Sequence, residues 1–468
     1  SSDLKIKRVI QGECTMLKKS RKLLSVIITA VVTATVFAGC GSGKSKEGAV
    51  TADGKKEITW MCYGQPQETQ VYEKVIEKFE EKYPDVKVKL VSTTQDQYGQ
   101  KIQAAMASNT MADVVYMGPG DVKAWVNSGK MLNLDEYLSK AESDGILNLD
   151  DIWDLGLNKY RYNGEKIGQG SLYALPKDIG PFGFGYNKTL FEEKGIPLPD
   201  PQVPYTWDEF INVCKKLTND TGSDDSTWGT GLNVNWSLAP FVFSNGADWL
   251  SEDGTKVTVT DPKFVEALQF FADQTLVNKI TPSAEQGQTL DTYQRWLKGQ
   301  LGFFAVAPWD IAAFEDLPFE YDLCPWPAGS TGETASWLGS VGFGVSANTK
   351  YPQEAVNLAI FLSTDADANK MVSDLQIQVP NIKSMAKTEY LNSDKKPHNK
   401  QVFIDLIEKY GKPLPGERTY NGEWYNKFYE GIQDVLDGKI SPKDYCEKIQ
   451  PEIQSLLYKA IEKEKAKK

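Results

Sequence analysis

The feature that most limits the fold is a change of apolar period, repeated four times between residues 57 and 117. "EITWMCYG" reads as a buried strand. "ETQVYEKVIEKFEEKYP" then sets Val71, Val75, Ile76, Phe79 and Tyr83 on one helical face and stops before Pro84. "VKVKLVS" alternates as a strand, "YGQKIQAAMASN" is helical, and "ADVVYMGPG" is a short apolar strand closed by a Gly-Pro-Gly turn. Strand, helix, strand, helix, strand in close succession builds a parallel sheet with helices on both faces.

A second unit of this kind follows. "TWDEFINVCKKLTN" is a helix with Thr206 at its N-cap and an acidic first turn, and "DPKFVEALQFFADQTLVN" starts from Asp261 with Pro262 at its first position. "GQLGFFAVAPWD" (299–310) is an apolar strand ended by Pro308, because proline donates nothing to a sheet ladder. "ASWLGSVGFGVSANT" is a Gly-rich strand region before the helix "PQEAVNLAIFLST", and the chain from Lys400 on is mostly amphipathic helix. At 468 residues the chain exceeds one core, so the reading is two α/β lobes and a helical C-terminal run.

Met16 opens a segment with Lys18, Lys19, Arg21 and Lys22 ahead of an apolar run from Leu23 to Phe37. That run is shorter than the roughly 20 residues of a membrane span, and its flanks describe a secretory signal. Residues 1–15 read as sequence upstream of the signal. Residues 1–39 carry seven Lys/Arg and two Asp/Glu, so without them the net charge of −11 becomes −16. Such an acidic body argues against a nucleic-acid partner.

His398 is the only histidine and no Cys-x-x-Cys pair occurs, which disfavours a Ser-His-Asp site, a histidine metal site and a zinc knuckle. No metal or cofactor is expected. Cys62, Cys214, Cys324 and Cys446 can pair in three ways, and four separate buried thiols is the simpler reading. "NDTGSDDSTWG" (219–229) is acidic, but counting from Asp220 the sixth residue is Asp225 and the twelfth Gly231. A calcium loop wants glycine and glutamate there, so this is a solvated loop.

In open α/β sheets ligands gather beyond the C-terminal ends of strands. The residues found there are Tyr63, Gly64 and Gln65, then Gly118–Asp121, then Asp178 with Phe182 beyond it. Asn235 with Trp236, Trp309 with Asp310, and Trp337 complete the set. Indoles beside carboxylates and amides suit sugars: a pyranose face stacks on the ring and its hydroxyls take directional partners. Trp60, Trp125, Trp207 and Trp296 lie inside elements and read as core. Trp337 either packs at a lobe crossing or meets ligand. Asp121, Asp178 and Asp310 are equally readable as caps or contacts.

"MASNTMADVVYMGPGDVKAWVNSGKMLNLDEYL", "YALPKDIGPFGFGYNKTLFEEKGIPLP" with "TWDEF", "WLKGQLGFFAVAPWDIAAF" and "GSVGFGVSANTKYPQEAVNLAIFLS", in that order, resemble the solute-binding lipoproteins of bacterial ABC sugar importers, the maltose-binding-like class. The resemblance runs from about Lys56 to the C-terminus. It implies a two-lobed, type II periplasmic-binding-protein-like α/β fold, each lobe a mainly parallel sheet flanked by helices, with ligand trapped when the lobes close. By analogy the lobes take 57–177 with 340–382 and 183–336 with 386–468, crossing near 178–182, 337–340 and 383–386.

Trp309 falls where the family has a stacking tryptophan, Trp236 at a sugar platform, Trp424 near a third aromatic, and Asp178 at a polar contact. Gly118–Asp121 depart from the tryptophan and acid that some members carry. Val36-Phe37-Ala38-Gly39-Cys40 resembles a lipobox, which implies cleavage before Cys40, a lipid on its sulfur and a tether over 40–56.

The expectation is a monomeric protein held by lipid at Cys40 on the outer face of a Gram-positive cell membrane. It delivers a neutral oligosaccharide to ABC permease subunits without chemistry. A β-glucan or xylan fragment is the first choice of ligand and maltodextrin the next. One rival is a secreted carbohydrate hydrolase, which needs two carboxylates about 5–10 Å apart; the chain lacks the eight β-α repeats of a barrel. The other rival is the same fold around an iron complex, peptide or polyamine. Few of the carried-over positions are basic, which disfavours phosphate and sulfonate ligands.

Overall fold

The computed structural model describes residues 48–467 except 224, so the signal, the lipobox and Cys40 lie outside the described residues. Residues 48–468 form one compact unit. Within it the first sheet has five strands in the order Val86–Thr93, Lys56–Tyr63, Val114–Met117, Gly342–Val345, Ala174–Pro176. Lys56–Tyr63 pairs in parallel with both neighbours, Trp60 lying opposite Leu90 and Val114. The helices Pro66–Lys82 and Gln95–Ala107 link these strands as their periods predict. Trp60, Phe79, Tyr116 and Phe343 centre the core they cover.

The second sheet runs Tyr321–Cys324, Gly183–Asn187, Leu301–Val306, Trp228–Thr230. Phe184, Phe210, Phe241, Trp249 and Trp326 lie in the core beside it. Thr206 caps its helix as expected, accepting from the Glu209 N–H at 3.3 Å while the Glu209 carboxylate accepts from the Thr206 N–H at 2.8 Å. The Asp261 cap accepts from the Lys263 N–H at 2.8 Å.

The α/β architecture in two lobes stands, but the sheets are mixed rather than mainly parallel. Gly342–Val345 runs antiparallel to both neighbours, and Gly183–Asn187 runs antiparallel to Leu301–Val306 and Tyr321–Cys324. The reason is connectivity. Each of these strands follows directly on a segment of a third sheet, Gly180–Pro181, Ser336–Gly339 and Gly411–Lys412, and enters its own sheet from the opposite end. In that third sheet Leu338 faces Pro181 and Ser336 faces Gly411. A Cβ on Gly411 would strike the Leu338 side chain, so the close strand approach requires glycine there.

Trp60, Trp125 and Trp296 are buried and Trp207 stacks on Phe270 at 4.2 Å, as core residues should. The four cysteines are separate and buried, which removes the disulfide alternative. Burial pushes the Cys62 and Cys446 thiols up to about 12, so neither is a nucleophile at neutral pH. No described helix is long and apolar enough to cross a membrane.

Candidate ligand-binding site

The segment Asp178–Phe182 is where Trp309, Trp337 and Trp236 meet beside Asp178. Leu301–Val306 ends as read: Pro308 opens a single 3-10 turn, Pro308–Asp310, and throws the Trp309 indole outward, 44 % exposed. The inner edge of the indole covers Gly180, where a Cβ would lie 2.9 Å from the ring. Glycine at 180 lets the edge of the indole approach the backbone this closely.

Trp337 is nearly buried, with its ring centroid 6.1 Å from Trp309 and 5.8 Å from Trp236. It stacks on Phe182 at 4.6 Å, and its indole N–H donates to the Trp236 carbonyl at 2.9 Å. Trp337 is thus the shared support of two exposed indoles. Trp236 is 52 % exposed, in the first turn of the Val234–Ser244 helix beside exposed Asn235. The Asn233 side chain fixes that turn by accepting from the Asn235 N–H at 2.9 Å.

The polar half of the site centres on Asp178. One carboxylate oxygen accepts from the Val341 N–H at 3.0 Å and the other from the Lys177 ammonium at 3.1 Å. Lys177 also lies 3.3 Å from Glu68. Burial alone lowers the pKa of the Lys177 ammonium, but Tyr72, Glu68 and Asp178 override it and hold it well above its ordinary value. The Asp178 carbonyl accepts from Ser340 at 2.7 Å, and the Tyr160 hydroxyl donates to Ser340 at 3.0 Å. Asp178 therefore fastens its own segment to Ser340 and Val341 as well as bordering the site. Tyr63 packs edge-on against Tyr98 and Tyr116, and its phenol is pushed up to about 12 by burial first and by Asp178 next. It stays a neutral hydroxyl.

Asp121 and Asp310 prove to be counterparts. Each ends a strand–Xaa-Pro-Xaa-Asp turn, with φ/ψ of −92/−18 and −89/−20. Each carboxylate accepts from the N–H three residues back, Gly118 and Ala307, at 3.2 Å. Both are caps, and burial pushes both carboxyls up to about 6. The two frames differ at two places: Gly118 stands opposite Ala307, and the indole of Trp309 has Gly120 as its opposite number. Gln65 is exposed, and its carbonyl accepts from the Thr69 N–H at 3.0 Å at the start of the Pro66–Lys82 helix.

Trp424 requires correction. It is fully buried, donates to the Thr419 hydroxyl at 3.0 Å and packs in the second core. The Glu423–Tyr429 helix turns Trp424 and Phe428 inward together, one turn apart. Glu68, Lys177 and Phe182 contribute more than the sequence indicated. Glu68 follows the Tyr63 mouth by a turn of helix, and Lys177 adjoins Asp178 in "LPKD", yet only the fold brings them together.

Two exposed aromatic faces, with the Lys177 cation already paired to Glu68 and Asp178, favour a neutral ligand over an anion. His398 is exposed, and its backbone N–H donates to Asp322 in the second sheet. In the 219–229 loop Asp220 accepts from the Gly222 N–H and the Ser226 hydroxyl, and no described group of three acidic, His or Cys residues is placed to hold a metal ion.

A family model described as bacterial extracellular solute-binding protein matches residues 64–369. The multiple sugar-binding protein of Streptococcus mutans is 23 % identical over 391 residues, covering 80 % of this chain and 85 % of that one. The arabinooligosaccharide-binding protein of Bacillus subtilis is 22 % identical over 354 residues, covering 74 % and 76 %. Among solved structures, a Listeria monocytogenes ABC substrate-binding protein in complex with cycloalternan superposes with a TM-score of 0.74 at 21 % identity, over 86 % of this chain and 99 % of the other.

Proposed function

The chain belongs to the bacterial extracellular solute-binding protein family, and from that premise we propose that it captures a neutral oligosaccharide and delivers it to an ABC importer. The observation that carries this reading is the line of three indoles: Trp309 and Trp236 exposed on either side of buried Trp337. Two exposed platforms offer separate subsites to successive sugar rings, and Tyr63, Asp178, Asn235 and Gln65 border them with hydroxyl, carboxylate and amide groups. Asp121 and Asp310 each keep one oxygen on a backbone cap and have the other for a sugar hydroxyl.

In this reading the lobes are 57–177 with 340–382 and 183–336 with 386–468. They close about the crossings at 178–182, 337–340 and 383–386, burying the sugar and forming the surface the permease subunits engage. The protein acts as a monomer, tethered through 40–56 to a lipid on Cys40 at the outer face of a Gram-positive membrane. A β-glucan or xylan fragment is the favoured cargo, with maltodextrin the alternative. The names of the relatives, for multiple sugars and arabinooligosaccharides, support an oligosaccharide.

The test is a thermal-shift panel of neutral oligosaccharides on protein lacking residues 1–40, with chromatography of the sugar afterwards. A ligand at a hundred times its Kd stabilises the folded state by about 2.7 kcal/mol, a readable rise in Tm. A rise with the sugar intact is expected. No response to any saccharide, or cleavage of one, overturns the proposal.

A further inference from the structure

A cavity of about 280 Å³ opens where the chain enters the third sheet, and it shares no lining residue with the line of indoles. Thr334 stands just before the strand Ser336–Gly339, and Tyr410 just before Gly411–Lys412. Pro325 follows the strand Tyr321–Cys324, where proline ends the ladder. The helix Gln401–Asp405 passes into a π-helical turn, Leu406–Tyr410. Such turns are rare and frequent at functional sites. Pro325, Val402 and Leu406 are buried and give the cavity an apolar wall.

The polar groups around it do not satisfy one another. Thr334 is 6 % exposed, and its hydroxyl has no hydrogen-bond partner among the described residues. A buried hydroxyl left unpaired is costly, so a ligand that pairs it is favoured. Asp405 accepts from the Gln401 amide at 3.1 Å and the Lys409 ammonium at 3.0 Å, both on Oδ1. Oδ2 is left as an acceptor, and the Lys409 ammonium has further donors. The exposed Gln202 amide adds a donor and an acceptor at the rim. This mixture surrounds a carboxylate and an ammonium that already cancel, so it selects against net charge. It matches hydroxyls, each of which both donates and accepts. The volume falls just under the roughly 300–1,000 Å³ of pockets that enclose drug-sized ligands, which leaves room for one ring and not for a chain of them.

We propose that this cavity is a second binding site, taking a single neutral polyhydroxylated ring, a monosaccharide or a cyclitol. The Thr334 hydroxyl and Asp405 Oδ2 pair with its hydroxyls, and Pro325, Val402 and Leu406 meet its C–H face. Such a site stands apart from the oligosaccharide cleft and holds whether or not the indoles bind sugar.

The experiment follows the methyl resonances of Val402 and Leu406, and the indole resonances of Trp309 and Trp236, in protein lacking residues 1–40. The probes are D-xylose, D-glucose, L-arabinose and myo-inositol. At least one should shift the two methyl signals saturably. Thr334→Val removes only the unpaired hydroxyl, so it should raise the Kd about tenfold without lowering Tm. Thr334→Ser keeps the hydroxyl and should bind as the parent does. Asp405→Asn should also weaken binding, and it decides the matter if Thr334→Val does not fold. Absence of a saturable methyl shift with every probe overturns the site, as does an unchanged Kd in the folded variants. Shifts confined to the two indoles report the cleft alone and overturn it equally.

Discussion

Truncating Trp309 to alanine separates a sugar platform from a core residue. The indole is 44 % exposed; of the ~250 Å² such a side chain can bury, on the order of 110 Å² is open to ligand. At about 25 cal/mol per Å² that is roughly 2.7 kcal/mol, and a ring covers one face rather than the whole. The expected loss is therefore about 1–3 kcal/mol, or a Kd raised about 5- to 150-fold. The inner face, over Gly180 and beside Trp337, supports the fold instead, and losing it costs about 3 kcal/mol of stability by the same reasoning. Calorimetric titration well below the variant's Tm, with circular dichroism to report the folded fraction, reads the two effects separately. Unchanged affinity per folded molecule, with stability lost, would show that the indole is packing only and would refute the platform.

Asp310 gives a pH prediction of definite sign. Its carboxyl moves from 3.8 to about 6 on folding because burial disfavours the charge. Its stabilising contribution is therefore complete below pH 4 and lost as pH rises through 6, a change of at most about 3 kcal/mol. The unfolding free energy of the parent relative to Asp310→Asn should fall between pH 4 and 7, and a difference flat with pH would contradict the burial argument. Lys177→Met strands Glu68 and Asp178 without their ammonium and should cost about 3–5 kcal/mol in denaturant unfolding. Adding Glu68→Gln should recover part of that loss, and a neutral Lys177→Met would sink the role assigned to the pair.

Trp309 was legible in the chain because proline after an apolar strand forces a stop, so the next side chain must leave the sheet. Trp236 was legible by its place alone, past the end of the Trp228–Thr230 strand and with no proline to mark it. Trp424 was not. Which face of a short helix turns inward depends on what packs against it, and here Trp249 and Phe264 meet Phe428, on the helix one turn from Trp424. Strand direction escaped for a related reason, since passage through the third sheet reverses the strand after it without changing its apolar pattern. The Glu68–Lys177–Asp178 cluster had no periodic signature either: residues far apart in sequence share a charge only once Lys56–Tyr63 and Ala174–Pro176 are in one sheet. The counterpart turns at Gly118–Asp121 and Ala307–Asp310 were visible as strings, but their equivalence appears only in their dihedral angles and caps.

The central claim is capture without chemistry. Its most direct test is a calorimetric titration, at several temperatures, of the oligosaccharide that stabilises the protein best. The account predicts one saturable site, a negative heat-capacity change from burial on the indoles, and sugar recovered at its original length. Absence of a binding heat for every neutral oligosaccharide at every temperature, or recovery of shortened sugar, would contradict it.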